Sequence, residues 1–316
     1  MARYKVWIDC DPGVDDAAAL MLAAKMPEIE VVGISATAGN VELKYTYRNA
    51  RNLAAYVGLD VPVYKGANAP LIRKPVYAKE VHGKTGLGGE ALPMSAAPDM
   101  TKPAWDALYE AAVKSQGEIV LIFIGPLTNL ALALRKYPDL PQYVSRLILM
   151  GGSSSFGNTT SAAEFNIVFD PEAAAVVFES DLTISMLGLD VTMQASLKQD
   201  DLEMLARIGG ETGRFLKDSL QVSLNWLKTL GLDAVAMHDP CTLLYLVYPA
   251  MFKSEMAGVK VETRGELTYG KTVTDLYSDT RFPVQNVDVV LEIDHAEFMK
   301  VFAEILGKYK ESSHGA

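Results

Sequence analysis

The sequence predicts an α/β fold, a single-domain, open, mostly parallel sheet of the Rossmann-like kind that is flanked by helices. Apolar runs of strand length alternate with helix-like segments along the whole chain, which is typical of consecutive βαβ units. Such units have right-handed crossovers and therefore give parallel neighbours. Residues 258–277 show β-type alternation around Gly265 and Gly270, which predicts a small antiparallel hairpin at one edge of the sheet.

The N-terminal half supplies four predicted strands. The first is the apolar run 6–8, and a Pro-Gly turn joins it to an Ala- and Leu-rich helix with acids in its first turn, where the helix dipole favours them. The other strands are 29–36, 61–64 and 119–124, and helices are predicted at about 41–57, at about 104–115 and after Gly125. Residues 66–100 are rich in Pro and Gly, and we expect this long loop to be functional or mobile.

The C-terminal half continues the alternation. Its predicted strands are 147–150, 182–187 and 287–293, its predicted helices are at about 171–178, through most of 199–230 and at 295–309, and a polar loop occupies 153–166. No repeat, low-complexity linker or change of composition divides the sequence. Residues 1–316 are therefore predicted to form one domain.

The composition argues against several functional classes. The net charge is −10 and no block of Lys or Arg stands out, whereas a nucleic-acid-binding surface needs a basic footprint. No apolar run reaches the length of a membrane span, and the N-terminus lacks the apolar core of a signal peptide. Cys10 and Cys241 could form one disulfide, but so few cysteines suit a reducing compartment better. We therefore expect a soluble cytoplasmic protein with no nucleic-acid or membrane partner.

Four carboxylates, those of Asp9, Asp11, Asp15 and Asp16, follow the first strand within eight positions. Like charges clustered in a crevice repel one another and raise each other's pKa values, and a hard divalent cation relieves this repulsion. Ligands that are all oxygens favour Ca²⁺ or Mg²⁺ over softer metals. The alternative is that two of these acids cap a helix and another forms buried hydrogen bonds, which would be the better interpretation of a single Asp.

Polar side chains also follow other predicted strands, at the edge where open α/β sheets bind ligands. They are Asn40, Thr128 and Asn129, the loop residues Asn158, Glu164 and Asn166, and the pair His238 and Asp239. Features that recognise phosphate are scarce, because the GKT at 83–85 lacks the upstream spacing of a phosphate-binding loop. This set suits a neutral, hydroxyl-rich ligand, and carboxylates beside a metal suit the cleavage of an N- or O-glycosidic bond.

The stretch IDCDPGVDDAAAL resembles the N-terminal signature of the nucleoside hydrolases, the inosine-uridine preferring type, and the resemblance continues along most of the chain. It implies calcium-dependent hydrolysis of the N-glycosidic bond of ribonucleosides to ribose and free base, through an oxocarbenium-like transition state. The family's calcium ligands match Asp11, Asp16, Asp239 and the main-chain carbonyl of Thr128. Its ribose-binding residues match Asp15, Asn40, Asn158, Glu164, Asn166 and Asp239. Asp11 also matches the base that activates water, while Asp9 is assigned to support behind the ligands.

Three further residues concern the nucleobase. The resemblance matches His238 to a histidine implicated in protonating the departing base, and we count it as catalytic together with Asp11. His82 matches a position on a mobile loop near the base, although a surface histidine on a Gly-rich loop is nearly as good an interpretation. Trp226 could stack on a base or belong to the core or an interface. The resemblance also implies a homodimer or homotetramer, and it leaves the preferred base open.

Two other functions are compatible with parts of the sequence. A metal-dependent phosphohydrolase of the haloacid dehalogenase type also places DxD after its first strand, but Gly13 stands where that family has Thr or Val. A ribose- or nucleoside-binding protein without catalysis would be exported and built of two similar lobes, and the sequence shows neither a signal peptide nor a repeat.

Overall fold

The computed structural model describes residues 4–277 and 284–312. Its strands are β1 (Tyr4–Cys10), β2 (Ile29–Ala36), β3 (Val63–Lys65), β4 (Ile119–Phe123), β5 (Val144–Met150), β6 (Ile184–Leu187), β7 (Ser196–Lys198), β8 (Ala234–Ala236), β9 (Phe252–Val261), β10 (Thr272–Asp275) and β11 (Val287–Ile293). Its helices are α1 (Val14–Lys25), α2 (Leu43–Val57), α3 (Lys79–His82), α4 (Ala104–Lys114), α5 (Thr128–Lys136), α6 (Phe165–Phe169), α7 (Pro171–Phe178), α8 (Leu189–Thr192), α9 (Gln199–Ile208), α10 (Gly210–Thr229), α11 (Pro240–Val247) and α12 (His295–Ser312).

Nine strands form one sheet in the order β10-β9-β11-β6-β5-β4-β1-β2-β3. The run from β11 to β3 is parallel throughout, whereas β9 pairs antiparallel with both β11 and β10. The predicted α/β fold with an antiparallel hairpin at one edge is thus confirmed. After β1 the chain moves outward to β2 and β3 and then returns to the other side of β1 as β4. This reversal is a topological switch point, where open α/β sheets bind ligands.

Both faces of the sheet are covered, which explains why its strands are apolar at consecutive positions. In β1, Val6 and Ile8 face a core that α1, α2 and the C-terminal helices complete, while Trp7 faces the opposite core beneath α4, α5 and α7. The same alternation occurs in β4, where Leu121 and Phe123 lie on the side of Trp7. The central strands are therefore fixed from two sides, and the loops at their carboxyl ends start from rigid positions.

The structure differs from the sequence prediction in several places. The short helices α6 and α8 were not predicted, and β5 and β9 begin earlier than the predicted strands. A short helix, α3, lies within the predicted long loop 66–100. The predicted helical stretch 199–230 is divided into α9 and α10 at Gly209 and Gly210, and Gly210 has a φ of +63°, a left-handed conformation that favours glycine. A separate two-stranded antiparallel sheet, β7 with β8, was missed because these short strands follow no long apolar run and pair outside the main sheet.

Among the described residues, no helix combines the length and the apolar character that crossing a membrane requires. Cys10 and Cys241 are both buried and free rather than joined in a disulfide. Each thiol instead donates to a main-chain carbonyl, that of Ser35 and that of Met237 respectively.

Candidate active site

A cavity of about 450 Å³ opens beyond the carboxyl ends of β2, β4 and β5, next to the switch point. All eight side chains that the sequence predicts for substrate binding line it, namely Asp15, Asn40, His82, Asn158, Glu164, Asn166, His238 and Asp239. Among the described residues, Asp11, Asp16 and Thr128 do not line this cavity and are almost completely buried. The predicted site is thus brought together from segments that are far apart in the sequence.

Three carboxylates approach closely enough to share one cation. Oxygens of Asp15, Asp16 and Asp239 lie within 4.8 Å of one another, and all three residues are buried. The prediction named Asp11 in place of Asp15, and Asp11 lies directly beside this group because its main-chain nitrogen donates to Asp16 Oδ1 at 3.1 Å. Asp16 Oδ2 accepts a second bond, from Gly13 N at 2.8 Å. These two hydrogen bonds within the Pro-Gly turn bring Asp11 and Asp16 together.

Asp11 has an unusual environment. Its Oδ2 accepts a hydrogen bond from Asn40 N at 2.6 Å, whereas its buried Oδ1 has no hydrogen-bond partner in the part of the chain that the structure describes. Gly39 and Gly125 lie against the two oxygens, since a Cβ on Gly39 would be 2.1 Å from Oδ2 and a Cβ on Gly125 would be 2.5 Å from Oδ1. Glycine at these two positions is required so that the turns can pack against the carboxylate.

The protonation equilibria of the cluster reflect burial and mutual repulsion. Burial, followed by the charges of neighbouring aspartates, raises the pKa of Asp11 and of Asp239 well above the ordinary range. Burial raises the pKa of Asp15 and of Asp16 to about 6. No Lys or Arg among the described residues lines the cavity. An oxygen-only cluster with an unpartnered buried oxygen and no compensating side chain fits a hard divalent cation such as Ca²⁺.

Asp9 belongs to a network behind the cluster. Its Oδ2 accepts hydrogen bonds from Ser35 Oγ and from Asn129 Nδ2, and Trp7 Nε1 donates to the same serine at 2.8 Å. Burial raises the pKa of Asp9 to about 7. The prediction that grouped Asn129 with the sugar-facing side chains is wrong, because its amide is engaged by Asp9 and by the main-chain nitrogen of Ala67.

The carboxamides that the sequence predicts to bind the sugar, and Glu164, are held by main-chain groups. Asn40 Nδ2 donates to Asp11 O at 3.1 Å, and Asn166 Nδ2 donates to Ile124 O and to Met150 O. Glu164 caps the N-terminus of α6 by accepting from the main-chain nitrogens of Asn166 and Ile167, and a third bond comes from Gly152 N. These side chains are therefore oriented before any ligand arrives.

Two histidines flank the cavity, and the pKa of each is lowered from its ordinary value. His82, in α3, accepts a hydrogen bond from Val14 N at Nδ1, and burial together with the nearby His238 lowers its pKa to about 3. Burial also lowers the pKa of His238, which Asp15 partly offsets. His238 Nδ1 lies 2.8 Å from Thr192 Oγ1, a partner in α8 that the sequence interpretation missed. His82 is half-buried.

The outer part of the cavity is apolar. Trp226 and Leu227 of α10 line it together with Phe156, Phe165 and Met193. The sequence interpretation considered Trp226 but missed Phe156 and Phe165. These two residues could have been found as large apolar side chains within the polar loop 153–166. Phe156 and Met193 are among the exposed large apolar residues of the molecule. A flat ring could bind between such walls.

The profile of the family described as inosine-uridine preferring nucleoside hydrolase matches residues 6–300. The chain belongs to this family. It is therefore a ribonucleoside hydrolase, an N-glycosyl hydrolase, and the prediction of an enzyme is confirmed. The match also decides against the phosphohydrolase and the non-catalytic binding protein.

Relatives agree with this assignment over nearly their full lengths. The chain is 38% identical over 305 residues to the pyrimidine-specific ribonucleoside hydrolase RihA of Photobacterium profundum, an alignment that covers 96% of this chain and 98% of that protein. It is 40% identical over 304 residues to the non-specific ribonucleoside hydrolase RihC of Escherichia coli, with the same coverage of 96% and 98%. Among solved structures, a purine-preferring ribonucleoside hydrolase from Gardnerella vaginalis superposes with a TM-score of 0.91 at 29% identity, covering 98% of this chain and 99% of the other.

Proposed function

We propose that this nucleoside hydrolase uses Ca²⁺, held in the aspartate cluster, to cleave the N-glycosidic bond of ribonucleosides and release ribose and free base. The observation that carries the proposal is the joining of a buried, uncompensated carboxylate cluster to a cavity whose outer end is apolar. The polar end suits a polyol and the apolar end suits a heterocycle. The names of the relatives point to the same substrate class.

In this proposal Asp11, Asp16, Asp239 and the main-chain carbonyl of Thr128 hold the cation. When bound, Ca²⁺ would offset the repulsion within the cluster and polarise the oxygens that it contacts. Asp15 lies in the same cluster and is assigned to the ribose hydroxyls. The remaining ribose contacts are assigned to Asn40, Asn158, Glu164, Asn166 and Asp239, all of which line the cavity.

Asp11 is the proposed proton acceptor for the attacking water, and the accepting atom is Oδ1. This oxygen has no hydrogen-bond partner among the described residues, so it can receive a proton without breaking an existing bond. The surrounding carboxylates stabilise the positive charge that develops on the sugar in an oxocarbenium-like transition state. In the same step, Asp11 takes the proton from the water and the neighbouring carboxylates stabilise the positive charge on the sugar.

His238 is the proposed proton donor to the departing base. Because its Nδ1 is occupied by Thr192 Oγ1, its Nε2 is the atom available to the base. His82 binds the Val14 main-chain nitrogen through Nδ1, so its own proton is on Nε2 and can donate to the base. Trp226 offers a stacking surface at the outer end of the cavity.

The test measures the release of reducing ribose from inosine, uridine and cytidine, each with added calcium and with excess chelator. We expect release that the chelator abolishes and calcium restores. The relative rates assign the base preference, for which the relatives include pyrimidine-specific and non-specific enzymes. Release that persists after the metal has been removed to below stoichiometry would refute the calcium mechanism. The absence of release from every nucleoside would refute the activity.

We also propose that residues 1–316 act as one domain within a homodimer or homotetramer in the cytoplasm, as the resemblance implies. Light scattering on protein eluting from a size-exclusion column measures the mass of the assembly. A monomer at micromolar concentration would contradict the proposed homodimer or homotetramer.

A further inference from the structure

The turn between β4 and α5, residues 124–128, is held at both ends by side chains from one short segment of the chain. At its first residue, Ile124 O accepts from Asn166 Nδ2 at 3.0 Å. At its last residue, Thr128 Oγ1 donates to Asp170 Oδ2 at 2.7 Å. Asn166 lies within α6 and Asp170 directly follows this helix. One short segment, residues 166–170, therefore holds both ends of the turn.

Asp170 is fully buried and is satisfied by three donors. Its Oδ2 accepts from Thr128 Oγ1 and from Leu71 N at 2.9 Å, while its Oδ1 caps α7 by accepting from Ala173 N at 3.1 Å. A neutral Ser, Thr or Asn would cap α7 equally well. Because two groups donate to Oδ2, this atom must be an oxygen acceptor. Asp170 therefore has a role beyond capping α7.

The turn that Asp170 fixes is the one that packs against Asp11. Gly125 approaches the unpartnered Oδ1 of Asp11 so closely that a Cβ would be 2.5 Å from it. Thr128, at the far end of the turn, is almost completely buried and supplies the carbonyl assigned to the cation. A small displacement of the turn would therefore alter two parts of the metal site at once.

We propose that Asp170 is a positioning residue for calcium: through the hydroxyl of Thr128 it fixes the turn 124–128 against Asp11 and so sets the geometry of the metal site. The inference rests on the proposed function, because it concerns the affinity for the proposed cation. Partners that orient metal ligands from behind commonly change metal affinity about 10- to 100-fold when they are replaced.

The test measures the calcium affinity of chelator-treated protein by titration calorimetry, which needs no turnover. In Asp170→Asn, one oxygen becomes an NH₂ group, so donors oppose donors if it takes the place of Oδ2. Thr128→Val removes the hydroxyl and keeps the main-chain carbonyl. We expect each variant to weaken calcium binding about 10- to 100-fold. Thr128→Ser restores a hydroxyl, and we expect it to recover affinity to within about threefold of the unmodified chain.

The double variant separates this mechanism from a general loss of structure. If Asp170 acts through Thr128, Asp170→Asn combined with Thr128→Val should bind calcium no more weakly than the poorer single variant. Ser185→Ala is the matched control, since it removes another hydroxyl-to-aspartate bond, from Ser185 Oγ to Asp288 Oδ2 at 3.1 Å, near the amino ends of β6 and β11. We expect its calcium affinity to be unchanged.

Each outcome has a distinct meaning. Unmodified protein that binds no calcium would refute the proposed function itself. Calcium binding in the unmodified protein, with Thr128→Val within twofold of it, would overturn only the role of Asp170. Losses that multiply in the double variant would also overturn it, because Asp170 would then act through Leu71 or the cap of α7. If Asp170→Asn does not fold, the comparison of Thr128→Val with Thr128→Ser decides.

Discussion

Asp11 is fully buried, yet its Oδ1 accepts no hydrogen bond from the described residues. We expect Asp11→Asn to lower kcat by at least about 10³-fold, since the change removes a metal ligand and the proton acceptor together, a loss of roughly 4 kcal/mol in transition-state stabilisation. Ribose release under saturating calcium measures it. Asp139→Asn, which alters an acid bonded to Tyr109 outside the site, is the control. An Asp11→Asn enzyme that retains a tenth of the activity would rule out the assigned role.

Thr192 and His238 form a hydrogen-bonded pair. Their contribution to catalysis should depend on whether the leaving group needs a proton. We expect His238→Ala to lower kcat about 10²- to 10⁴-fold with inosine, the usual contribution of a general acid. Thr192→Val should give a smaller loss because it removes only the group that orients the imidazole. With a 4-nitrophenyl riboside, whose leaving group needs no proton, both losses should shrink to a few-fold. Equal losses with the two substrates would show that His238 does not donate the proton.

At the residue scale, the sequence revealed side chains whose chemistry is local to a motif. Asp15 and Asp16 share a turn with Asp11, so their convergence follows from the order of residues alone. Thr192 and Asp170 could not be predicted, because a hydroxyl or an acid in an apolar stretch acquires its role only from a partner brought near by tertiary folding. The same reason explains why Asn129 was placed on the wrong side of the site.

At the scale of elements, the turn 124–128 packs against a carboxylate without spare volume. We expect Gly125→Ala to lower kcat at least tenfold and to destabilise the fold by about 1–3 kcal/mol, the usual effect of overpacking. Activity assays and urea denaturation measure the two effects. Gly307→Ala is the control, because a Cβ at this position in α12 meets nothing within 4 Å and should stabilise the helix slightly. A fully active Gly125→Ala enzyme would contradict the packing argument.

The loop after β5 is tied to α8 by Asp190, which accepts from Ser154 N at 2.7 Å and from the hydroxyls of Ser154 and Ser155. Burial raises the pKa of Asp190, but the three hydrogen bonds outweigh it, so the pKa is lowered overall. A lowered pKa in the folded state means that the stabilisation is complete above the unfolded pKa of about 3.9 and is lost as the pH falls through the folded value.

We therefore expect Asp190→Asn to reduce the free energy of unfolding by about 1 kcal/mol at neutral pH. The difference between the two proteins should shrink as the pH falls below about 3.9. Urea denaturation of both proteins across this range measures it. A difference that is independent of pH would mean that the carboxylate charge plays no part in anchoring the loop.

The elements that periodicity predicts well are those buried on two sides. The central strand β4 begins at the predicted residue and ends one residue before the predicted end, because a continuous apolar run is required when both faces are covered. β7 and β8 lie outside the main sheet, and their pairing is decided by neighbours that the sequence does not reveal. The same holds for α3, a single turn that packs on α10.

For the whole molecule, the aspartate cluster should make stability depend on the metal. We expect chelator to lower the melting temperature by several degrees, because a cation present at about 100 times its Kd adds about 2.7 kcal/mol to the stability of the folded state. Differential scanning calorimetry with and without chelator measures the shift. Asp239→Asn should reduce the shift strongly, while Ser185→Ala should leave it unchanged. A melting temperature that does not respond to calcium would contradict a folded-state calcium site.

The switch point between β1 and β4 has a consequence for biosynthesis. β1 is made before the other described strands of the sheet but lies in its interior, and one of the two side chains that donate to Asp9, that of Asn129, is 120 positions further along. During translation β1 can pair with β2 early, while its other edge stays unpaired until β4 has left the ribosome. An open strand edge is a template for aggregation, and pairing over such distances is slow. Newly made chains should therefore be most exposed to aggregation in the interval before β4 is inserted.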